Sequence, residues 1–145
     1  MKPYPPILFG SGLLLALAGH LVWPLPLPSW LWLRAVGGGL IIAAGLLALA
    51  TERQFHRAHT PVLPFKDATT LITSGPLRYS RNPIYLAFAV ITVGMALLTA
   101  SWWPLIPLPV VLLAISGIIR GEEERLRRIF GTEYEEYCQR TRRWL

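Results

Sequence analysis

The fold is decided by a polar stretch that leads directly into an apolar run: Gly75-Pro76-Leu77-Arg78-Tyr79-Ser80-Arg81-Asn82-Pro83-Ile84-Tyr85. Asn82 favours the position before a helix and Pro83 suits the first helical position, so the stretch predicts that a helix begins at Pro83. About 34 mostly apolar residues, 86–119, follow before a second polar block begins at Arg120-Gly121-Glu122-Glu123. Because two short transmembrane helices fit in that distance, both polar blocks are expected at the same membrane face.

The composition is that of a membrane protein. Of 145 residues, 53% are hydrophobic and only 15% are charged, whereas soluble domains carry about 25% charged residues. We therefore expect one integral-membrane domain over residues 1–145 with an all-α, polytopic fold.

Four apolar runs predict about four transmembrane helices, at about 7–23, 30–50, 83–100 and 105–119. Basic residues are concentrated in 51–82 and 120–145, so the positive-inside rule places this loop, this tail and both termini in the cytoplasm. The tail is predicted to form amphipathic helices, the second of which would start with a capping box from Thr132 and Glu135. Glycines in the second helix allow another helix to approach closely and make it a candidate homodimer face.

The net charge of +6 does not predict a nucleic-acid partner. The chain has no aromatic–basic repeat and no zinc-ligand spacing. Anionic lipid headgroups are the simpler partner for arginines beside apolar segments. No metal site is predicted either, since the single cysteine and the spacing of His56 and His59 supply no set of three or four ligands.

Helical periodicity separates the glutamates of the second block. Glu122 falls on the apolar stripe with Ile115 and Ile118, Glu123 falls at its edge, and Glu124 falls on the polar side. A carboxylate that faces inward at membrane depth is costly unless it is paired, and such a residue marks a candidate functional site. The candidate partners are Arg78 and Arg81.

A simpler interpretation needs no functional site. Glu123–Arg127 and Glu124–Arg128 have the spacing of ion pairs along a solvated helix. Arg78 and Arg81 would then be headgroup anchors, and Tyr79 and Tyr85 would be interfacial aromatics.

The motifs resemble those of a known family. The 75–85 block, followed by Glu122-Glu123 and by Phe130-Gly131-x-Glu133-Tyr134-x-x-Tyr137, resembles the integral-membrane methyltransferases. These include isoprenylcysteine carboxyl methyltransferases and phospholipid (phosphatidylethanolamine) N-methyltransferases. The upstream stretch Thr60-Pro61-x-x-Pro64-Phe65 is similar to the small prokaryotic members, and the resemblance spans about residues 52–145. Asn82 stands where many members have histidine.

The resemblance implies S-adenosylmethionine as the methyl donor. It implies Glu122 and Arg120 as catalytic residues. The implied cofactor-binding residues are Pro76, Leu77, Arg78, Tyr79, Arg81, Asn82, Pro83, Tyr85, Glu122 and Glu123. A glutamate can accept hydrogen bonds from the donor's ammonium or ribose hydroxyls, an arginine can pair with its carboxylate, and Tyr85 can cover its adenine or sulfonium.

The expected function is methyl transfer to a lipophilic acceptor at the cytoplasmic membrane face, with the 51–82 segment covering the site. The acceptor would be a phospholipid amine headgroup or an isoprenylcysteine-like carboxylate. A small four-helix exporter is an alternative, but it needs an ionisable residue in mid-membrane, for which the first three runs offer only His20. A non-catalytic membrane scaffold is the other alternative.

Overall fold

The chain folds into helices joined by short turns. The computed structural model describes residues 5–59 and 69–145. The helices are α1 (Pro5–Val22), α2 (Leu31–Arg57), α3 (Pro83–Thr99), α4 (Leu108–Phe130) and α5 (Thr132–Arg140), with 3-10 turns at Gly75–Arg78 and Trp103–Leu105. Within the described ranges the only β-type pairing is an isolated bridge between Pro26 and Ser101. The all-α prediction is confirmed.

In the described part of the chain, three helical segments are long and apolar enough to cross a membrane: Pro5–Val22, Leu31–Arg57 and Trp103–Phe130. They support an integral membrane protein. The apolar helix α3 is shorter, at 17 residues, and spans about 26 Å against a hydrocarbon core of about 30 Å. A fourth crossing therefore stays a prediction.

Two predicted boundaries were wrong. α2 continues to Arg57 and does not end at residue 50, because the sequence offers no proline or glycine between 51 and 57 to stop it. The fourth run enters its α-helix at Leu108, not at residue 105, because Trp103–Leu105 forms a separate 3-10 turn. α4 then runs without a break to Phe130, as expected for a tail that continues the fourth run.

Gly131 ends α4, with a φ of +53° that favours glycine. α5 begins at the next residue, Thr132, and no side chain caps it. The predicted capping box was wrong, because Thr132 is already the first helical residue and not the residue before the helix.

α2 and α3 pack closely through two glycines. A Cβ atom placed on Gly37 would lie 2.7 Å from the carbonyl oxygen of Gly94, and one on Gly94 would lie 2.8 Å from that of Gly37. The expected close approach is therefore made to α3 of the same chain. Around Gly38, Gly39 and Gly45 a Cβ would meet nothing within 4 Å.

The apolar core joins α1 to α4. Phe9, Ile115 and Ile119 are buried together, and Phe9 stacks on Phe88 of α3 with ring centroids 5.2 Å apart. Trp144, beyond the last helix, packs against the same cluster. The end of the chain is thus held against the membrane helices.

Near the opposite end of α3, polar contacts join the end of α1 to the turn that follows α3. His20 Nδ1 and Ser101 Oγ lie 3.1 Å apart, and Trp103 Nε1 donates to the carbonyl of Trp23 at 2.7 Å. Trp23 and Trp102 remain exposed. Exposed tryptophans at a helix end are typical of a membrane–water interface.

Candidate active site at the start of α3

The 3-10 turn that opens the first block is held from two sides. Leu77 is buried and its carbonyl accepts a 2.6 Å hydrogen bond from the Tyr137 hydroxyl of α5. Gln54 of α2 donates to the carbonyl and hydroxyl oxygens of Ser74 at 2.7 and 2.8 Å. Gly75 has a φ of +60°, and a Cβ there would lie 2.5 Å from Gln54 Oε1. The positive φ therefore favours glycine here, and a larger residue would also displace the end of the Gln54 side chain.

A buried ion-pair cluster joins the two polar blocks. Arg81 Nη2 lies 2.8 Å from Glu123 Oε1, and Arg143 Nη2 lies 2.6 Å from Glu123 Oε2. Arg143 Nε also donates to Glu123 Oε1 at 3.1 Å. The Glu123–Arg127 pair of the simpler interpretation was wrong, because Glu123 turns inward toward these two arginines.

Residues 141–144, which follow α5, form a segment that we call the C-terminal strap. Arg81 N donates to the carbonyl of Arg142 at 3.0 Å, and Thr141 Oγ1 donates to the carbonyl of Arg78 at 3.2 Å. Asn82 Nδ2 donates to the carbonyl of Arg143 at 3.0 Å. The strap therefore lies along the first block and fixes its backbone.

Asn82 precedes α3 as predicted, and Pro83 is its first residue. The Asn82 side chain does not cap the helix. It is buried and bonded to the strap instead. The helix start is thus set by the proline, while the asparagine attaches the strap.

Glu122 has a different environment from Glu123. The hydroxyl of Tyr85, on the first turn of α3, donates to Glu122 Oε1 at 2.7 Å. Glu122 is half-buried, Glu123 is buried and Glu124 is exposed. The predicted separation of Glu122 and Glu123 from Glu124 is confirmed, but Glu123, which was placed at the edge of the apolar stripe, is the most buried of the three. Among the described residues, none donates a hydrogen bond to Glu122 Oε2.

The remaining predicted residues divide by exposure. Pro83 is buried and Pro76 is half-buried, whereas Arg78, Tyr79 and Arg120 are exposed. Arg120 precedes Glu122 by two residues, which is about 200° around a helix. The structure therefore brings Arg81 to Glu123 and Tyr85 to Glu122, and it leaves Arg78 and Arg120 exposed outside these pairs.

Sequence reasoning missed Arg143, Thr141 and Gln54. Their contacts with the block span 20 to 63 residues of chain, and no helical periodicity connects such distant positions. A signal was present in Trp144, an aromatic residue after a charged run, which indicates that the chain end packs back on the protein.

The α5 tyrosines and Arg143 have shifted acid–base behaviour. Burial raises the pKa of Tyr134 and of Tyr137. The hydrogen bonds to Glu123 raise the pKa of Arg143. At neutral pH the site therefore contains neutral phenols and a charged guanidinium.

Residues 60–68 lie outside the described part of the chain. The Thr60–Phe65 motif, and most of the segment that was predicted to cover the site, fall there. Among the residues that are described, no group of three or more histidine, cysteine, aspartate and glutamate side chains is arranged to hold a metal ion.

Comparison with known proteins gives two similar sequences from rice. Each is a "Probable protein-S-isoprenylcysteine O-methyltransferase", one from Oryza sativa subsp. indica and one from Oryza sativa subsp. japonica. Each is 33% identical over 96 residues, which cover 66% of this chain and 49% of the relative. The chain thus spans about half the length of these curated relatives. No solved structure matches it.

A sequence model of the phospholipid methyltransferase family matches residues 32–133. The match runs from the first turn of α2 to the start of α5 and includes both polar blocks. The match covers well over half of the chain. The rice relatives are also named as methyltransferases. The chain therefore belongs to the phospholipid methyltransferase family.

Proposed function

We propose that the protein transfers a methyl group from S-adenosylmethionine to a lipophilic acceptor at the cytoplasmic face of a membrane. The observation that carries the proposal is the Tyr85–Glu122 hydrogen bond of 2.7 Å. It places a carboxylate with one open oxygen beside an aromatic ring, where α3 meets the polar blocks. That combination suits a ligand with a positive charge and hydrogen-bond donors.

Each group of the proposed site has a role toward the donor. Glu122 Oε2 accepts hydrogen bonds from the ammonium or the ribose hydroxyls. The Tyr85 ring attracts the sulfonium through its π face. The half-buried Pro76 and the buried Leu77 and Pro83 give the site an apolar wall.

Arg81 and Glu123 act less directly in this proposal. The carboxylate oxygens of Glu123 and both Nη atoms of Arg81 are bonded to each other, to Arg143 and to backbone carbonyls, and Arg81 Nε is buried. They hold the two blocks at a fixed separation, and so position Tyr85 against Glu122. Of the exposed arginines, Arg78 is on the block itself and can reach a ligand carboxylate, whereas Arg120 needs to reach around α4.

S-adenosylmethionine, when bound, supplies an electrophilic methyl group, whose bond to sulfur breaks as the bond to the acceptor forms. The protein holds donor and acceptor in line and excludes water, which accounts for most of the rate gain. An amine acceptor first loses a proton, for which Glu122 is the proposed base. A carboxylate acceptor needs no base.

The acceptor is proposed to enter from the bilayer and to be a phospholipid amine or an isoprenylcysteine-like carboxylate. The family match favours the first and the names of the rice relatives favour the second. The proposed topology has four crossings and both termini in the cytoplasm. A homodimer through the open glycines of α2 is a further proposal.

The test is transfer of a labelled methyl group by the purified chain into total membrane lipid and into a farnesylated cysteine, followed by product identification. We expect label in one of the two acceptors. Glu122→Gln should greatly weaken donor affinity, measured by calorimetry in detergent, and should abolish transfer. Donor binding without turnover on either acceptor would indicate a scaffold, and absence of donor binding would refute the proposal.

A further inference from the structure

The buried cluster between the two blocks carries more positive than negative charge. It contains one carboxylate, Glu123, and two guanidinium groups, Arg81 and Arg143. Two positive charges and one negative charge leave one positive charge in excess. An added oxyanion would compensate this excess charge.

Arg81 cannot offer that charge to a ligand. Its side chain is only 12% exposed. Nη2 is bound to Glu123, and Nη1 donates to the carbonyls of Cys138 and Thr141 at 3.1 and 2.8 Å. Its Nε is buried without a hydrogen-bond partner, so no face of the guanidinium is open to an incoming group.

Arg143 is the open member of the cluster. Its side chain is 35% exposed, and only Nε and Nη2 are bonded, both to Glu123. Nη1 makes no hydrogen bond to the described residues. Two bonds to Glu123 fix the plane of the guanidinium, so its free edge is pre-organised for an oxyanion.

The same residue borders the rest of the site. Its backbone carbonyl binds Asn82, directly before α3. Its neighbour Trp144 packs against the apolar cluster that also contacts Tyr85. Arg143 therefore belongs to the strap residues that border the start of α3 and the apolar cluster beside Tyr85.

We propose that Arg143 is a further binding residue of the methyl-transfer site and holds an oxyanion of a ligand with its free Nη1 edge. This inference rests on the proposed function. Two ligands supply such a group: the α-carboxylate of the donor, and the phosphate or carboxylate of the acceptor. Both are planar or tetrahedral oxyanions that a guanidinium binds with paired hydrogen bonds.

The test uses Arg143→Met and Arg143→Lys in the full chain in detergent, with Arg142→Met as the matched control. Arg142 is the adjacent arginine and its side chain is exposed. Affinity is measured by calorimetry for S-adenosylhomocysteine and for its decarboxylated analogue, and the Michaelis constant is measured for the acceptor.

If Arg143 contacts the donor carboxylate, Arg143→Met should lower the affinity for S-adenosylhomocysteine about 10- to 100-fold. That is the effect of one lost charge-assisted hydrogen bond. The decarboxylated analogue should be unaffected, and Arg143→Lys should recover part of the loss. A contact with the acceptor predicts instead unchanged nucleoside affinity and a Michaelis constant raised by a similar factor. Arg142→Met should change neither quantity.

The proposal would be overturned if Arg143→Met lowered the affinity for both nucleosides equally, or if it changed neither the affinities nor the Michaelis constant. Arg143 would then act only on the structure. Loss of folding in both Arg143 variants would assign it to the same structural role. These results leave the proposed function standing if the unaltered chain binds S-adenosylhomocysteine and transfers methyl groups. If the unaltered chain does neither, both proposals fail.

Discussion

Arg81 and Glu123 are 42 residues apart in the chain, yet Arg81 Nη2 and Glu123 Oε1 lie 2.8 Å apart. Both side chains are almost fully withdrawn from solvent, at 12% and 5% exposure. One residue precedes α3 and the other lies on α4, so this contact fixes how the two polar blocks meet. The Tyr85–Glu122 pair lies beside it, because Tyr85 is four residues after Arg81 and Glu122 is directly before Glu123.

We expect Arg81→Met to destabilise the protein by about 3–5 kcal/mol, as for the loss of one partner of a buried ion pair. The change also leaves the carbonyls of Cys138 and Thr141 without their donor. The measurement is denaturant unfolding in detergent. Arg78→Met is the matched control, since Arg78 is an exposed arginine of the same block. Equal stability of the two variants would contradict the structural role of the cluster.

Tyr85→Phe should weaken donor affinity about tenfold, less than Glu122→Gln does. The variant keeps the aromatic ring and loses the hydroxyl that holds Glu122 Oε1 at 2.7 Å, and one hydrogen bond to a charged group is worth about 1.5–3 kcal/mol. Calorimetry with S-adenosylhomocysteine measures the effect. Tyr79→Phe is the control, because Tyr79 is 71% exposed. If Tyr85→Phe bound as tightly as the unaltered chain, Glu122 would not need this partner for its orientation.

Local features of the site could be predicted from the sequence. Pro83 marks the first residue of α3 because proline fits the first helical turn and disrupts later ones. The 3.6-residue period distinguishes Glu122 and Glu123 from Glu124 without any tertiary information. Both predictions depend on residues within two helical turns of one another.

The rest of the site depends on contacts between distant parts of the chain. Arg143 reaches Glu123 across 20 residues, and Asn82 reaches the Arg143 carbonyl across 61. Pairing of this kind has no periodic signature in the sequence. The end of α2 was missed for a different reason. A change to charged residues after Ala50 marks where a hydrocarbon core can end, but a helix can continue into water.

Gly37→Ala should destabilise the protein by about 1–3 kcal/mol, the usual effect of overpacking. Its Cβ would lie 2.7 Å from both Gly94 O and Leu98 N, and backbone atoms cannot move aside without separating α2 from α3. Gly39→Ala is the matched control, because a Cβ there meets nothing within 4 Å. That variant should be neutral or more stable by up to about 1 kcal/mol from helix propensity. The measurement is the free energy of unfolding of both variants in detergent. If Gly37→Ala left this free energy unchanged, α2 and α3 would not be in close contact.

Tyr137→Phe should destabilise the protein by about 1–3 kcal/mol at neutral pH, because the Leu77 carbonyl loses its buried donor. Burial raises the pKa of Tyr137 in the folded state, whereas in the unfolded chain a tyrosine keeps a pKa of about 10. Above that pH the unfolded chain loses the proton first, so the stability that Tyr137 contributes is present below about pH 10 and declines as the pH rises further. The stability difference between the unaltered chain and Tyr137→Phe should therefore shrink between pH 9 and about pH 11, measured by unfolding in detergent. For the control Tyr79→Phe, at an exposed position, the stability difference from the unaltered chain should not change with pH. If the stability difference for Tyr137→Phe stayed constant across the range, this phenol would ionise as freely in the folded protein as in the unfolded chain.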